Sequence, residues 1–298
     1  MLPNKTNDPN PRQTATTIAP PAVSVIVLTY NRAHFLDATV KSLLMQTKTE
    51  FELIIADDAS SDSTQEICLR WVERDSRVSY HRRAKNVGMP ANLNLSIVAS
   101  TGKYVAILHD DDVYCATLLE KWTACLDQYP NAAFVFNSYQ ALDINDQTGH
   151  LYREPLARCF PGALLLERFF FRRWRFDSPV YGTVMMRRSA FDRLGPFDER
   201  YGFWSDVAMW MRLAEEFDVC YVDEPLIKLR SIDVSPHQFR DDSSHVLRIL
   251  RHIFWEARTR HYRGRSLRTL AETIRHVGFG AAARSLIFAS AVKRTLRF

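Results

Sequence analysis

Apolar positions in this chain fall into short unbroken runs separated by helical stripes. "VSVIVLTY" (23–30) is a nearly continuous β-branched run, the pattern of a strand covered on both faces. The next segment, "AHFLDATVKSLLMQT", puts Leu36, Val40, Leu43 and Leu44 on one side of a helix. "FELIIA" (51–56) predicts a second strand and "RVSYHR" (77–82) a shorter third. Between them, Ser63-Thr64-Gln65-Glu66 reads as a capping box, a hydroxyl at the N-cap and a carboxylate three residues later. The helix it opens presents Ile67 and Trp71 at i, i+4. Another helix begins near Pro90, because proline tolerates the first turn, and stops at Gly102. "YVAIL" (104–108) is the next buried strand, a helix follows around 116–128, and "AAFVFNSYQ" (132–140) is again a strand. Such alternation predicts an α/β fold with a mostly parallel sheet.

After about residue 150 the rhythm changes. "LLLERFFFRRWRF" is aromatic and basic, "PVYGTVMMRR" suits a strand, and "DVAMWMRLAEEF" suits a helix. "VCYVDEPLIKLR" predicts short strands broken at Pro225. From 243 the pattern is helical and rich in arginine. Val246, Leu250, Ile253, Phe254 and Ala257 form one apolar face, and Leu267, Leu270, Ala271, Ile274 and Val277 a second. Residues 1–21 are rich in Pro, Thr and Asn and read as a flexible tail. No repeat at solenoid spacing is present.

Composition adds bounds. The 298 residues are 46% hydrophobic and 12% aromatic, which supports a sizeable core and argues against general disorder. A net charge of +5 suits an anionic ligand or an anionic membrane surface without requiring either. Five scattered cysteines without a C-x-x-C pair argue against a disulfide framework or structural zinc and fit a reduced cytosol. The first residues carry no apolar secretory core. The longest late apolar run, "GFGAAARSLIFASAV", is short and interrupted by Arg284. The expectation is a cytoplasmic protein, soluble or peripheral to a membrane.

Chemistry concentrates at strand ends, where open α/β sheets bind ligands. "TYNR" (29–32) follows the first strand, "DDASSDS" (57–63) the second, and "HDDD" (109–112) ends "YVAIL". Asp110, Asp111 and Asp112 stand side by side, and each close carboxylate pair repels by roughly 1–4 kcal/mol depending on the dielectric. A divalent cation would relieve that repulsion. A loop start, with Asp112 capping the next helix, would be the structural alternative.

Taken in order, "VSVIVLTYNRAHFLDATVKSLLMQT", "FELIIADDASSDST", "NVGMPANLN", "GKYVAILHDDDVY" and "YGFWSDVAMWMRLAEE" resemble family 2 glycosyltransferases with the GT-A fold, over roughly residues 23–232. The resemblance implies inverting transfer of a sugar from a nucleotide-diphosphate sugar, assisted by Mn²⁺ or Mg²⁺. It implies Asp111 as the central metal ligand, with Asp112 assisting directly or through water and Asp110 on the ribose. His109 occupies the position where the family's D-x-D motif has its first aspartate. Thr29, Tyr30 and Arg32 fall near the base or phosphates, with a helix start capped by Asn31 as the alternative. Asp57 and Asp58 match the family's pair after the second strand, Asp58 being the better match to the base contact, and Asx-turn chemistry is their alternative. Asn86, Gly88 and Asn92 match a segment over the nucleotide, where Gly88 would permit close approach of the backbone. In "FWSDVAMW", Ser205 replaces the usual glutamate and Asp206 remains as the base that would deprotonate the acceptor hydroxyl, or as a helix cap. Trp204 would pack under the acceptor sugar or belong to the core. An Arg-x-His common in the family survives only as Arg230; Asp233 and His237 follow it.

The resulting expectation is a GT-A domain over 22–240, with a nucleotide-binding half at 22–115 and an acceptor half at 116–240. A basic helical extension follows at 241–298. The expected function is surface polysaccharide or glycolipid synthesis, from a UDP- or dTDP-sugar to a glycan or lipid-linked glycan. Basic C-terminal helices suit contact with anionic lipid at the inner face of the cytoplasmic membrane; no motif for nucleic acid accompanies them. A catalytically degenerate GT-A scaffold that binds a nucleotide or partner is the competing expectation, motivated by His109 and Ser205. A nucleotidyltransferase would need a glycine-rich phosphate loop after the first strand, and none is evident.

Overall fold

The parallel strands predicted at the start of the chain all enter one sheet. The structure is a computed structural model that describes residues 21–142, 147–171, 180, 182–230 and 243–262. In chain order the elements are β1 (Val23–Thr29), α1 (Ala33–Leu44), β2 (Phe51–Asp57), α2 (Thr64–Arg74), β3 (Val78–Arg82), α3 (Met89–Ala99), β4 (Tyr104–His109), β5 (Val113–Tyr114) and α4 (Leu118–Gln128). There follow β6 (Ala132–Leu142), β7 (Thr148–Tyr152), β8 (Cys159–Pro161), α5 (Gly162–Phe171), β9 (Val184–Arg187), α6 (Arg188–Leu194), a 3₁₀ stretch (Glu199–Trp204), α7 (Ser205–Glu216), β10 (Asp218–Arg230) and α8 (Ser243–Tyr262). The strand order is β3-β2-β1-β4-β9-β6-β10-β5, with β7 added to β6 and β8 to β10. Strands β3, β2, β1 and β4 run parallel. β9 enters antiparallel between β4 and β6, and β6 and β10 restore the parallel direction.

The unbroken apolar runs have a direct cause. Val23, Val25 and Val27 of β1 pack with Leu36, Val40 and Leu43 of α1 in one layer. Ile26 faces the other layer, with Leu93 and Ile97 of α3 and Trp210 of α7. β4 divides likewise, Ala106 and Leu108 to the first layer and Val105 and Ile107 to the second. Helices on both faces leave few positions of β1, β2 and β4 to water, and each large side chain buried this way contributes roughly 1.5–3 kcal/mol.

Two local expectations are corrected. Ser63 precedes α2 but its hydroxyl makes no capping bond. The carboxylate of Asp62 does the work instead, accepting from Thr64 N at 3.0 Å and from Ala33 N at 3.1 Å. It thereby ties the starts of α1 and α2 together. Pro225 does not break β10 into pieces: one thirteen-residue strand passes through it, with register shifts on either side. A proline without an N–H is accommodated at such an irregularity.

α8 covers the second layer. Ile253 and Ala257 are buried there, and Ile249 and Phe254 pack against the same core. Arg260 Nε bonds Glu215 of α7 at 2.9 Å, and Glu256 accepts from the Tyr201 hydroxyl at 3.0 Å. All but the last residue of the tail expected at 1–21, and the second apolar face, with Arg263, Arg265, Arg268, Arg275 and Arg284, lie outside the described residues, as do Asp233 and His237. Among the described residues no helix is long and apolar enough to cross a membrane.

Candidate active site

Parallel pairing brings the polar strand ends together. Thr29 of β1 is in register with Asp57 of β2, and Leu28 with His109 of β4. All three polar turns therefore open at one edge of the sheet.

The loop 109–113 is pinned by buried groups from other elements. The Thr39 hydroxyl on α1 lies 2.9 Å from the Asp110 carbonyl and 2.7 Å from that of Asp112. Tyr114 takes a hydrogen bond from His109 N and donates one to the His109 carbonyl, each at 2.9 Å. Arg230, at the end of β10, donates its backbone N–H to Asp112 Oδ1 at 3.3 Å and Nη1 to the Asp111 carbonyl at 3.1 Å. The backbone of the acidic run is thus tied by hydrogen bonds to α1, β5 and β10.

Its electrostatics favour a cation. Asp112 is 1% exposed and Asp110 7%. Burial, helped by the charge of Asp111, pushes Asp110 up to about 7 against the pull of Thr29, Arg32 and His109. Burial also raises Asp112, opposed by His109. Partial burial pulls His109 down, but the Asp112 carboxylate and the charges of Asp111 and Asp110 outweigh it and hold the imidazole at about 9. Nδ1 of His109 lies 3.5 Å from Asp112 Oδ2, and that buried oxygen has no hydrogen-bond partner. One ligand atom each from His109, Asp111 and Asp112 lie within 4.8 Å of one another. An unsatisfied buried carboxylate oxygen inside an anionic cluster fits a divalent cation. His109 is the member that sequence reasoning missed. The signal was present, an imidazole directly before three carboxylates, but the residue stood out only as a departure from a motif.

Asp206 approaches from the other side. It occupies the first turn of α7, half-buried, and Oδ1 accepts from Val207 N at 2.6 Å. A Cβ at Gly182 would fall 3.0 Å from His109 Nε2 and 3.1 Å from Asp206 Oδ2. Nε2 of His109 and Oδ2 of Asp206 therefore both border the small space beside Gly182. Burial pushes Asp206 up to about 6, against the Val207 amide and the charge of His109. Trp204 immediately precedes α7, packs against the second core layer and meets Phe203 edge-on at 5.6 Å.

The residues expected at the nucleotide take different roles in the fold. Tyr30 is 45% exposed at the end of β1. Asn31 adopts a φ of 54°, accepting from Ser61 N at 2.8 Å and donating its own N–H to Ser60 Oγ at 2.9 Å. This locks the turn after β1 to the turn after β2. Arg32 precedes α1 and is close enough to Asp110 to lower it. Asp57 is fully buried and accepts from Ser60 N at 2.8 Å and from the Tyr80 hydroxyl at 2.5 Å. Asp58, Asn86 and Gly88 come together. The Asp58 carboxylate accepts from Val87 N at 2.8 Å and Gly88 N at 2.9 Å, and Asn86 Oδ1 from Gly88 N at 3.2 Å. Gly88 has φ +87° and open space where a Cβ would stand, so backbone conformation is what demands glycine there. Asn92 is buried, donating to the Ala56 carbonyl at 2.9 Å and accepting from Arg83 Nε at 2.7 Å.

The pattern of Glycosyl transferase family 2 matches residues 24–195. The chain belongs to this family. Over 230 residues it is 24% identical to an E. coli protein, the UDP-Glc:alpha-D-GlcNAc-diphosphoundecaprenol beta-1,3-glucosyltransferase WfgD, covering 74% of the chain and 81% of that protein. A Rickettsia bellii glycosyltransferase is 35% identical over 208 residues, covering 70% of the chain and 28% of the relative. The chain likewise spans 36% of the length of its Rickettsia felis and Rickettsia conorii relatives. Among solved structures, S. aureus TarS 1–349 in complex with UDP-GlcNAc has a TM-score of 0.64 at 18% identity, covering 80% of this chain and 70% of that one. Mannosyltransferase PcManGT from Pyrobaculum calidifontis, in complex with GDP-Man and Mn²⁺, has a TM-score of 0.55 at 18% identity, covering 92% and 80%. These two share the GT-A-like fold, an α/β sheet of mostly parallel strands flanked by helices.

Proposed function

We propose that this chain is a metal-assisted inverting glycosyltransferase, moving a sugar from a nucleoside-diphosphate sugar to an acceptor hydroxyl in the assembly of a surface polysaccharide or glycolipid. The observation that carries this reading is the convergence on His109, with a cation-fitting cluster on one side and Asp206 on the other. Asp111 and Asp112 would hold Mn²⁺ or Mg²⁺, which when bound neutralises charge on a departing diphosphate. Asp110 and Arg32 flank that position, and the exposed ring of Tyr30 offers a face for the base. Thr29, Asp57, Asp58, Asn86 and Gly88 shape and hold the nucleotide side. Asp206 takes the proton of the acceptor hydroxyl as its oxygen attacks the anomeric carbon, and Trp204 lies on the acceptor side.

A UDP- or dTDP-sugar is the proposed donor, in keeping with the UDP-GlcNAc in the TarS complex and the UDP-Glc in the name of WfgD. A lipid-linked glycan is the proposed acceptor, and the arginines of α8 would rest on anionic lipid. The test is nucleoside-diphosphate release from a panel of sugar nucleotides, with Mn²⁺ present and after its chelation. Turnover should require the metal and fall at least about 100-fold in Asp111→Ala and Asp206→Ala, with melting temperatures little changed. Full turnover in both variants, or none from any sugar nucleotide, rejects the reading.

A further inference from the structure

We propose that His109 is itself a ligand of the cation, so that the site is a mixed nitrogen and oxygen centre that selects Mn²⁺ over Mg²⁺. This rests on the reading above that a divalent cation binds beside β4.

Four observations carry it. Nδ1 of His109 stands 3.5 Å from Asp112 Oδ2, close to the separation of two neighbouring ligands around one ion with bonds of about 2.1–2.2 Å. That oxygen is buried without a hydrogen-bond partner, so a cation at bonding distance would compensate its desolvation more fully than the imidazole at 3.5 Å does. Asp111 brings a third ligand atom into the same 4.8 Å cluster. Finally, the imidazole is presented by fixed backbone, because the Tyr114 hydroxyl engages both the N–H and the carbonyl of His109. A ligand carried on ordered backbone has only its side-chain torsions left to fix on binding.

The far nitrogen completes the arrangement. Nε2 and Asp206 Oδ2 border the same small space beside Gly182. Histidines that bind metals through one nitrogen commonly direct the other N–H at a carboxylate, which sets ring orientation and basicity. His109 thus connects the cation to the proposed base. Imidazole suits first-row transition metals, whereas Mg²⁺ strongly prefers oxygen and near-ideal octahedral geometry. Three aspartates alone would accept either ion.

The experiment uses the full chain labelled with ¹⁵N in histidine only, loaded with Mn²⁺ alone and with Mn²⁺ plus UDP. Pulsed electron paramagnetic resonance should show ¹⁵N coupling to Mn²⁺ in the labelled protein and ¹⁴N coupling in the unlabelled one. His109→Asn should abolish the coupling and weaken Mn²⁺ binding by about tenfold or more. His109→Asp, which restores charge but supplies only oxygen, should bind both ions with the preference for Mn²⁺ over Mg²⁺ largely lost. Thermal melts of the metal-free variants check that both are folded. Bound Mn²⁺ without histidine coupling, or coupling that persists in His109→Asn, overturns the inference and leaves the carboxylate site standing. Failure of the wild-type chain to bind Mn²⁺ in either condition overturns the metal reading as well.

Discussion

At the scale of single residues, the site depends on where burial sets protonation. Asp206 has its pKa lifted to about 6, first by burial. A base must be ionised, so turnover should be low at pH 5, rise through about 6 and level off above 7, the plateau marking full ionisation. A rate that is flat between pH 5 and 8 would remove Asp206 from that role. The stability sign runs the other way. A carboxylate whose folded pKa lies above its unfolded value costs stability once pH exceeds the unfolded value. Asp206→Asn should therefore abolish transfer while leaving the melting temperature at pH 7 unchanged or higher, a trade of stability for function. Gly182 supplies a second test, since the space it leaves is bounded by His109 and Asp206. Gly182→Ala should displace one of them by a few tenths of an ångström and lower kcat about tenfold, with little change in melting temperature. Sequence motifs singled out Asp111 and Asp206 as candidates. They could not show that a histidine and a glycine more than seventy positions apart complete the same small space, because no local pattern encodes that contact.

At the scale of elements, legibility followed burial. β1, β2 and β4 are apolar at nearly every position because helices cover both faces, so their runs announced themselves. β5 and β8, of two and three residues, are too short to carry a period. The insertion of β9 between β4 and β6 is a pairing between distant segments and left no local trace. Capping showed the same limit: the hydroxyl of Ser63 fits a motif, yet Asp62 caps α2 because it also reaches the first N–H of α1. The approach to α3 is likewise held from a distance, through two amides that donate to Asp58. Asp58→Ala would leave both without their anionic acceptor and should cost about 2–3 kcal/mol in denaturant melts. If this segment frames the nucleotide, the same variant should raise the donor KM several-fold and change kcat less. An unchanged KM would make Asp58 a structural brace alone.

At the scale of the whole molecule, the question is what the basic end of the chain does. Its first helix is part of the core: Ile253 and Ala257 are buried in the same layer as Trp210 and Phe169, and Arg260 pairs with Glu215 of α7. Cutting the chain at 242 would therefore expose that layer, and loss of lipid binding by such a fragment would report misfolding as readily as a lost membrane surface. Charge reversal separates the two. Arg248 and Arg251 lie exposed on α8, on the side away from Ile253, with Trp255 52% exposed nearby along the helix. Each basic side chain near an anionic bilayer is worth about 1 kcal/mol, so reversing two should weaken attachment by well over tenfold. Arg248→Glu with Arg251→Glu, in the full chain, should keep the melting temperature and lose flotation with phosphatidylglycerol vesicles. Turnover on a water-soluble acceptor should persist, because neither arginine touches the acidic turn at β4. Flotation equal to wild type would show that α8 is a structural cover whose charges face water, and would move any membrane contact to another part of the molecule.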